Sequence, residues 1–166
     1  MRARLIALLL PMVAALSACS APAPHMLRYD GPEVTQIHVA KDRRRMYLLN
    51  GTDIVASYDI GLGFAPQGHK SAAGDGRTPE GLYFIDRRNP NSAYHLSIGI
   101  SYPNAADVAA ARSAGVDPGG DIFIHGTARN RGRGRDWTAG CIAVTDDEME
   151  QIYAMVREGT PIYISP

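Results

Sequence analysis

The stretch VTQIHVAKDRRRMYLLNGTDIVASYDIGLG, Val34 to Gly63, holds three short runs in which β-branched and aromatic residues dominate. Such side chains suit a pleated, half-buried surface, so VTQIHVA, RMYLL and TDIVASYDIGLG read as strands. Asn50-Gly51 between the second and third is a two-residue hairpin signal, which makes the start of the domain an antiparallel meander. Outward from there, EGLYFID (80–86), YHLSIGISY (94–102), DIFIHG (121–126) and PIYIS (161–165) continue the series. Leu96, Ile98 and Ile100 alternate as a half-buried strand should. Two helices interrupt the strands. Asn104 is placed to cap AADVAAARSAG, which Gly115 ends. Thr145-Asp146-Asp147-Glu148 is a capping box, Met149, Ile152, Tyr153 and Val156 form an apolar stripe that reads as core, and Gly159 marks the stop. Seven to nine strands with two helices predict a mainly β domain of sandwich or barrel type.

A chain of 166 residues, 45% of them hydrophobic, has enough apolar surface for one core and little for a second. Its first segment reads as an export signal: Arg2 and Arg4 form a basic start, Leu5 to Leu16 an apolar run too short to span a bilayer, and small residues close it. Leu16-Ser17-Ala18-Cys19 resembles the bacterial lipobox, in which cleavage precedes a cysteine that is then acylated. The expected division is therefore a signal peptide over 1–18, a tether over 19–32 beginning at a lipidated Cys19, and one folded domain over 33–166. Ser20, in place of Asp, points to the outer membrane on its periplasmic side. Without Arg2 and Arg4 the chain keeps fifteen bases against seventeen acids, a balance with no nucleic-acid footprint.

With Cys19 acylated, Cys141 has no partner for a disulfide, and a free thiol exported to an oxidising compartment is a liability unless used. Cys141 lies in DWTAGCIAV (136–144), shortly before the second capped helix, where backbone amides can stabilise a thiolate or an oxyanion. Gly140 and Gly126 each remove a side chain where a substrate could approach. His125, sixteen positions upstream, is the candidate base. A thiol-redox role lacks a Cys-x-x-Cys motif and a resolving cysteine.

GDGRTPEGLYFIDRRNPNSAYHLSIGISYPNAAD, then GGDIFIHG, then DWTAGCIAVTDDEMEQIY, in that order, resemble the L,D-transpeptidase catalytic domain of the YkuD type, from about Thr35 to Ile164. The resemblance implies a β-sandwich-like domain whose cysteine attacks a peptidoglycan stem peptide. Carried onto this chain, Cys141 is the nucleophile, His125 the base, and the Gly126 carbonyl orients the imidazole. Two positions depart from the family pattern: Ala139 stands where a second histidine is usual, and Ala143 where an arginine is. The implied reaction attacks the L-centre of a diamino acid, expels D-alanine and leaves a thioester on Cys141. An amine or water then resolves it, with no metal or organic cofactor. The Cys141 amide, with that of Gly140, is the expected oxyanion donor.

The remaining candidates surround that pair. Thr138 and Trp137 precede the cysteine, and Trp137 could wall the pocket. Arg129, Arg131, Arg133 and Arg135 could clamp the carboxylates of an acidic stem. Arg77 lies in the turn cluster GDGRTPEG, and His95 is the alternative imidazole, with Tyr102 in the same strand region. His25, His38 and His69 carry no functional signal. Expected partners are peptidoglycan stem peptides, a wall-anchored lipoprotein, and the membrane through the lipid. The competing readings are a hydrolytic relative that cleaves stem peptides or wall-protein links, and a non-catalytic wall-binding lipoprotein.

Overall fold

The computed structural model describes residues 27–127 and 134–166. The expected signal segment, Cys19, and Arg129, Arg131 and Arg133 lie outside them. Eight strands form one mixed sheet: β1 (Gln36–Ala40), β2 (Arg45–Asn50), β3 (Asp53–Asp59), β4 (Gly81–Ser92), β5 (His95–Ile100), β6 (Phe123–His125), β7 (Ile142–Ala143) and β8 (Pro161–Ser165). Helices α1 (Ala105–Ala114) and α2 (Asp146–Met155) are inserted after β5 and β7. The spatial order is β3-β2-β1-β8-β4-β5-β6-β7.

The expected mainly β, sandwich-like domain is what folds, and one strand explains its shape. β4 is twelve residues long. Its first part, Gly81–Phe84, pairs with β8, and from Ile85 onward it pairs with β5 across a bulge. A strand that changes partners at a bulge turns a sheet through a corner, so the two halves curl around a shared core. Gly61, just after β3, then bridges Ala143 of β7, each donating its N–H to the other's carbonyl at 2.8 and 2.9 Å. The two outer strands of the sheet thus meet through the chain that follows β3, and Phe64 N–H to Thr138 O at 2.9 Å extends the join.

The meander β1-β2-β3 is antiparallel, as its residues predict. The hairpin loop is Gly51-Thr52, one residue later than expected, because Asn50 still pairs with Asp53. β5 departs from half-burial: Leu96 through Ile100 are all buried. The Thr145–Glu148 capping box forms, and Asn104 caps α1 through a second such box with Asp107 that the sequence reading did not include. α2 ends at Met155 with Val156 extended, so Gly159 lies in the following turn and does not terminate the helix. α2 has no base in its last turn. Arg88 of β4 supplies one, donating to the Tyr153 and Val156 carbonyls with its guanidinium 3.8 Å from the Tyr153 ring centroid, which suits the negative end of a helix.

The long connection from β3 to β4 is pinned from within. Lys41, 2% exposed, donates to Gly68 O (2.6 Å), Thr78 O (2.9 Å) and Glu80 Oε1 (2.8 Å). Burial pulls its pKa down against the pull of Glu80. A buried cation is tolerated only when paired in this way, and the pairing holds the 64–80 segment against the end of β1.

Candidate active site

β6 and β7 run parallel with Ile124 opposite Ile142 and His125 opposite Ala143. Ile124 and Ile142 are fully buried in the core. Side chains alternate along a strand, so Phe123, His125, Cys141 and Ala143 share the other face. One step before Ile142, Cys141 stands opposite Phe123. Cys141 and His125 are therefore diagonal neighbours, with Cα atoms roughly 7–8 Å apart.

His125 is 4% exposed and its Nδ1 lies 2.6 Å from the Gly126 carbonyl. A carbonyl only accepts, so Nδ1 carries the proton, and Nε2 of the neutral ring keeps its lone pair. The Gly126 carbonyl thereby fixes the tautomer of the ring. Tyr94, at the tip between β4 and β5, stacks on the imidazole at 4.5 Å and 27°, and Trp137 meets it edge-on at 5.7 Å and 67°. Burial pushes the His125 pKa down, while the Gly126 carbonyl and the Asp146 carboxylate pull it back up. Asp146, the first residue of α2, accepts the Thr127 N–H at 2.7 Å. Sequence reasoning singled out neither Tyr94 nor Asp146; the signals were their places beside His95 and inside the capping box.

The Cys141 thiol donates to the Asp121 carbonyl at 3.5 Å. Burial pushes its pKa up; the Phe123 N–H, Lys70 and Arg87 oppose this, and Asp121 adds to it. The expected help from a helix N-terminus is not delivered, because β7 intervenes and α2 begins only at Asp146. The sulfur is turned to the Asp121 carbonyl, and no hydrogen bond joins it to His125 among the described residues.

Thr138, 4% exposed, shapes the approach to the cysteine: its hydroxyl accepts the Gly140 N–H at 3.1 Å and donates to Cys141 O at 2.7 Å. The Gly140 amide is thus engaged within the loop and is no oxyanion donor. The Cys141 N–H meets no acceptor among the described residues. The space above Gly140 (φ 135°) is also taken, since a Cβ there would stand 2.6 Å from the Arg77 carbonyl. A Cβ on Gly126 would collide with the Asp146 carboxylate. Both glycines admit the protein's own chain where room for substrate was expected.

The other candidates divide. Trp137 lies edge-on against the His125 ring. Arg77 approaches Gly140 only through its backbone, and its side chain is exposed. Arg135 is held by Ile60 O, Arg44 O and Asp59, each at 3.3 Å, a tie to the β3 side of the sheet in place of a mobile clamp. His95 bonds Glu150 of α2 at 2.8 Å and so offers no second imidazole to the site. Its left-handed backbone (φ 73°) sets Tyr94 over His125, with the Tyr94 carbonyl accepting the Gly126 N–H at 3.1 Å. Tyr102 faces no cleft: it is buried, donates to Pro118 O at 2.9 Å, and its pKa is pushed up to about 12 by burial. Asp136, which no sequence signal marked, receives Arg44 on both oxygens and the Leu62 N–H. A groove of about 460 Å³ opens beside Trp137, lined by Thr127, Ala143, Val144, Thr145 and Glu148.

The chain has relatives of known sequence and structure. It is 30% identical over 126 residues to YafK of Escherichia coli K12, which carries a provisional L,D-transpeptidase name; the match spans 72% of this chain and 46% of YafK. Among solved structures, the helical cell shape determining protein Pgp2 from Campylobacter jejuni superposes with a TM-score of 0.63 at 25% identity, over 84% of this chain and 50% of that one. Bd1075 of Bdellovibrio bacteriovorus shares the fold, with a TM-score of 0.58 at 24% identity, over 87% of this chain and 53% of its own. The chain thus spans about half the length of the relatives it matches. The model of the YkuD L,D-transpeptidase catalytic domain matches residues 35–164, nearly the whole of the curled sheet and both helices, and the chain belongs to that family.

Proposed function

We propose that this protein is a cysteine-dependent L,D-transpeptidase acting on peptidoglycan tetrapeptide stems. The observation that carries the proposal is the His125 tautomer: Nδ1 locked on the Gly126 carbonyl leaves Nε2 as the only basic nitrogen, on the face of the sheet that bears Cys141. In this reading Nε2 takes the thiol proton as sulfur attacks the carbonyl at the L-centre of the diamino acid. The C–S bond forms, the C–N bond to D-alanine breaks, and the imidazolium returns its proton to the departing amine. The Cys141 N–H is the proposed donor to the tetrahedral oxygen, a contact worth about 3 kcal/mol of barrier. An amine then takes the acyl group from sulfur. The groove beside Trp137, open where Ala143 is small, is the proposed approach for that amine. By analogy with the cell-shape role in Pgp2's name, the reaction would act on wall architecture.

Intact mass after mixing the protein with disaccharide tetrapeptide tests this. A thioester adduct with loss of D-alanine, absent in Cys141→Ser, is expected, and crosslinked dimer should exceed tripeptide. Tripeptide alone would move the assignment to hydrolysis. Product from Cys141→Ser at the parent rate would remove the nucleophile assignment altogether.

The anchored location remains a proposal carried by Leu16-Ser17-Ala18-Cys19: acylation at Cys19 would hold the domain at the periplasmic side of the outer membrane. Metabolic labelling with a fatty acid should mark the parent protein and miss Cys19→Ser; equal labelling of both would refute the anchor.

A further inference from the structure

One accessible cation beside Cys141 has no part in the reaction just described. Paired positions across the sheet run Arg87 (β4), Gly99 (β5), Phe123 (β6), and one step further Cys141. Gly99 has no side chain, and Arg87 lies across it: a Cβ at Gly99 would stand 2.5 Å from Arg87 Cγ. The guanidinium thereby reaches the Phe123 ring, with Cζ 4.4 Å from its centroid. That ring dries one face of the cation while the other edge stays open.

The partners Arg87 already has are weak. Asp86 and Asp121 accept from it at 2.9 and 3.2 Å, and the Asp121 side chain is 91% exposed. Exposed pairs of this kind contribute little and exchange readily for another carboxylate. Lys70, which with Arg87 lowers the Cys141 pKa, is 3% exposed and engaged by Asp75 and the Ala72 carbonyl. Of these two cations among the described residues, Arg87 is the one that an incoming anion can reach.

Asp121 fixes the distance, because it touches both groups: its carboxylate meets Arg87 and its backbone carbonyl meets the Cys141 thiol. Guanidinium and sulfur are thus within about 11 Å of one another, allowing about 4 Å across one aspartate. A substrate spans a similar gap. From the attacked carbonyl carbon through nitrogen and Cα to a carboxyl carbon is roughly 4 Å, with about 3 Å more for attack and about 3 Å for an ion pair.

We propose that Arg87 binds the α-carboxylate of the amino acid that leaves. The assignment rests on the reaction proposed above for its donor, but its test does not require turnover. Full-length Cys141→Ala protein would be titrated by calorimetry with disaccharide tetrapeptide ending in a free carboxylate and with the same ligand ending in a carboxamide. The acid should bind about tenfold tighter, the size of one charge-assisted hydrogen bond at a half-exposed site. Arg87→Gln should erase that preference. Asp121→Asn should enlarge it several-fold by removing the competing carboxylate, and asparagine tolerates the left-handed backbone at this position (φ 55°). An unchanged preference in Arg87→Gln, or no binding of the acid, would overturn the assignment. Failure of the parent protein to form a thioester would instead remove the acyl-enzyme reading and leave this result standing.

Discussion

A histidine that accepts a proton near neutral pH must already be neutral there, and opposing influences decide whether His125 is. Burial under Tyr94 and Trp137 penalises the imidazolium, while the Gly126 carbonyl and Asp146 favour it, and burial prevails: the pKa falls below the ordinary 6.5. The titratable groups facing the ring among the described residues are Asp146, Tyr94 and Cys141. A rate that needs neutral His125 rises as pH climbs through this pKa, so the acid limb of kcat/KM should have its midpoint below pH 6.5. Asp146→Asn keeps the acceptor for the Thr127 N–H but removes the charge, and should move the midpoint lower still. An imidazole NMR titration of both proteins should show the same displacement; a limb that stays fixed while the NMR pKa moves would mean that His125 is not the base. Cys141 and His125 were legible in the sequence because thiol and imidazole are uncommon side chains in a recognisable order. Tyr94 was not, since its stacking depends on a hairpin tip folding back over a strand thirty residues away.

At the scale of elements, what could be read was what local chemistry sets. The Asn104 cap and the Thr145 capping box formed because each joins residues two or three apart, and the antiparallel meander formed because its turn lies between the strands it connects. β5 shows where such reading stops. Ser97 and Gly99 look like the solvent side of an alternating strand, but they are small because other side chains cover them: Arg87 crosses Gly99, and Ser97 lies between Asn89 and His125. The small residues make the trough under the proposed carboxylate site. A period of two distinguishes two faces, and it does not say which face meets water. The partner change within β4 and the service of Arg88 to α2 were equally invisible, since both depend on contacts made after the chain has folded.

For the whole molecule, the consequential feature is where the curled sheet joins itself. The chain after β3 meets the chain before and within β7, and the same segment positions Cys141. Asp136 secures the join: it binds Arg44 Nε at 3.1 Å and Nη2 at 2.9 Å, and takes the Leu62 N–H at 3.0 Å. Arg44 in turn has a left-handed backbone (φ 52°) in the β1–β2 turn. Both side chains are less than a quarter exposed, so the pair is stronger than a surface ion pair. Burial opposes ionisation of Asp136, but Arg44 and the Leu62 amide outweigh it and hold the carboxyl below 3.8. A carboxylate with a depressed folded pKa stabilises the fold above its unfolded value and loses that contribution as pH falls through the folded value. Asp136→Asn should therefore cost about 2 kcal/mol in urea unfolding at pH 7. The gap should persist at pH 5 and narrow below pH 3.8, as the parent protein too becomes protonated. Asp75, held at about 2 by the Ser71, Ala72 and Arg77 amides and by Lys70 against the cost of its burial, keeps the neighbouring 64–80 segment in place to lower pH. A gap between parent and Asp136→Asn that stays constant from pH 7 to pH 3 would show that the loss comes from the shape of the loop and not from its charge.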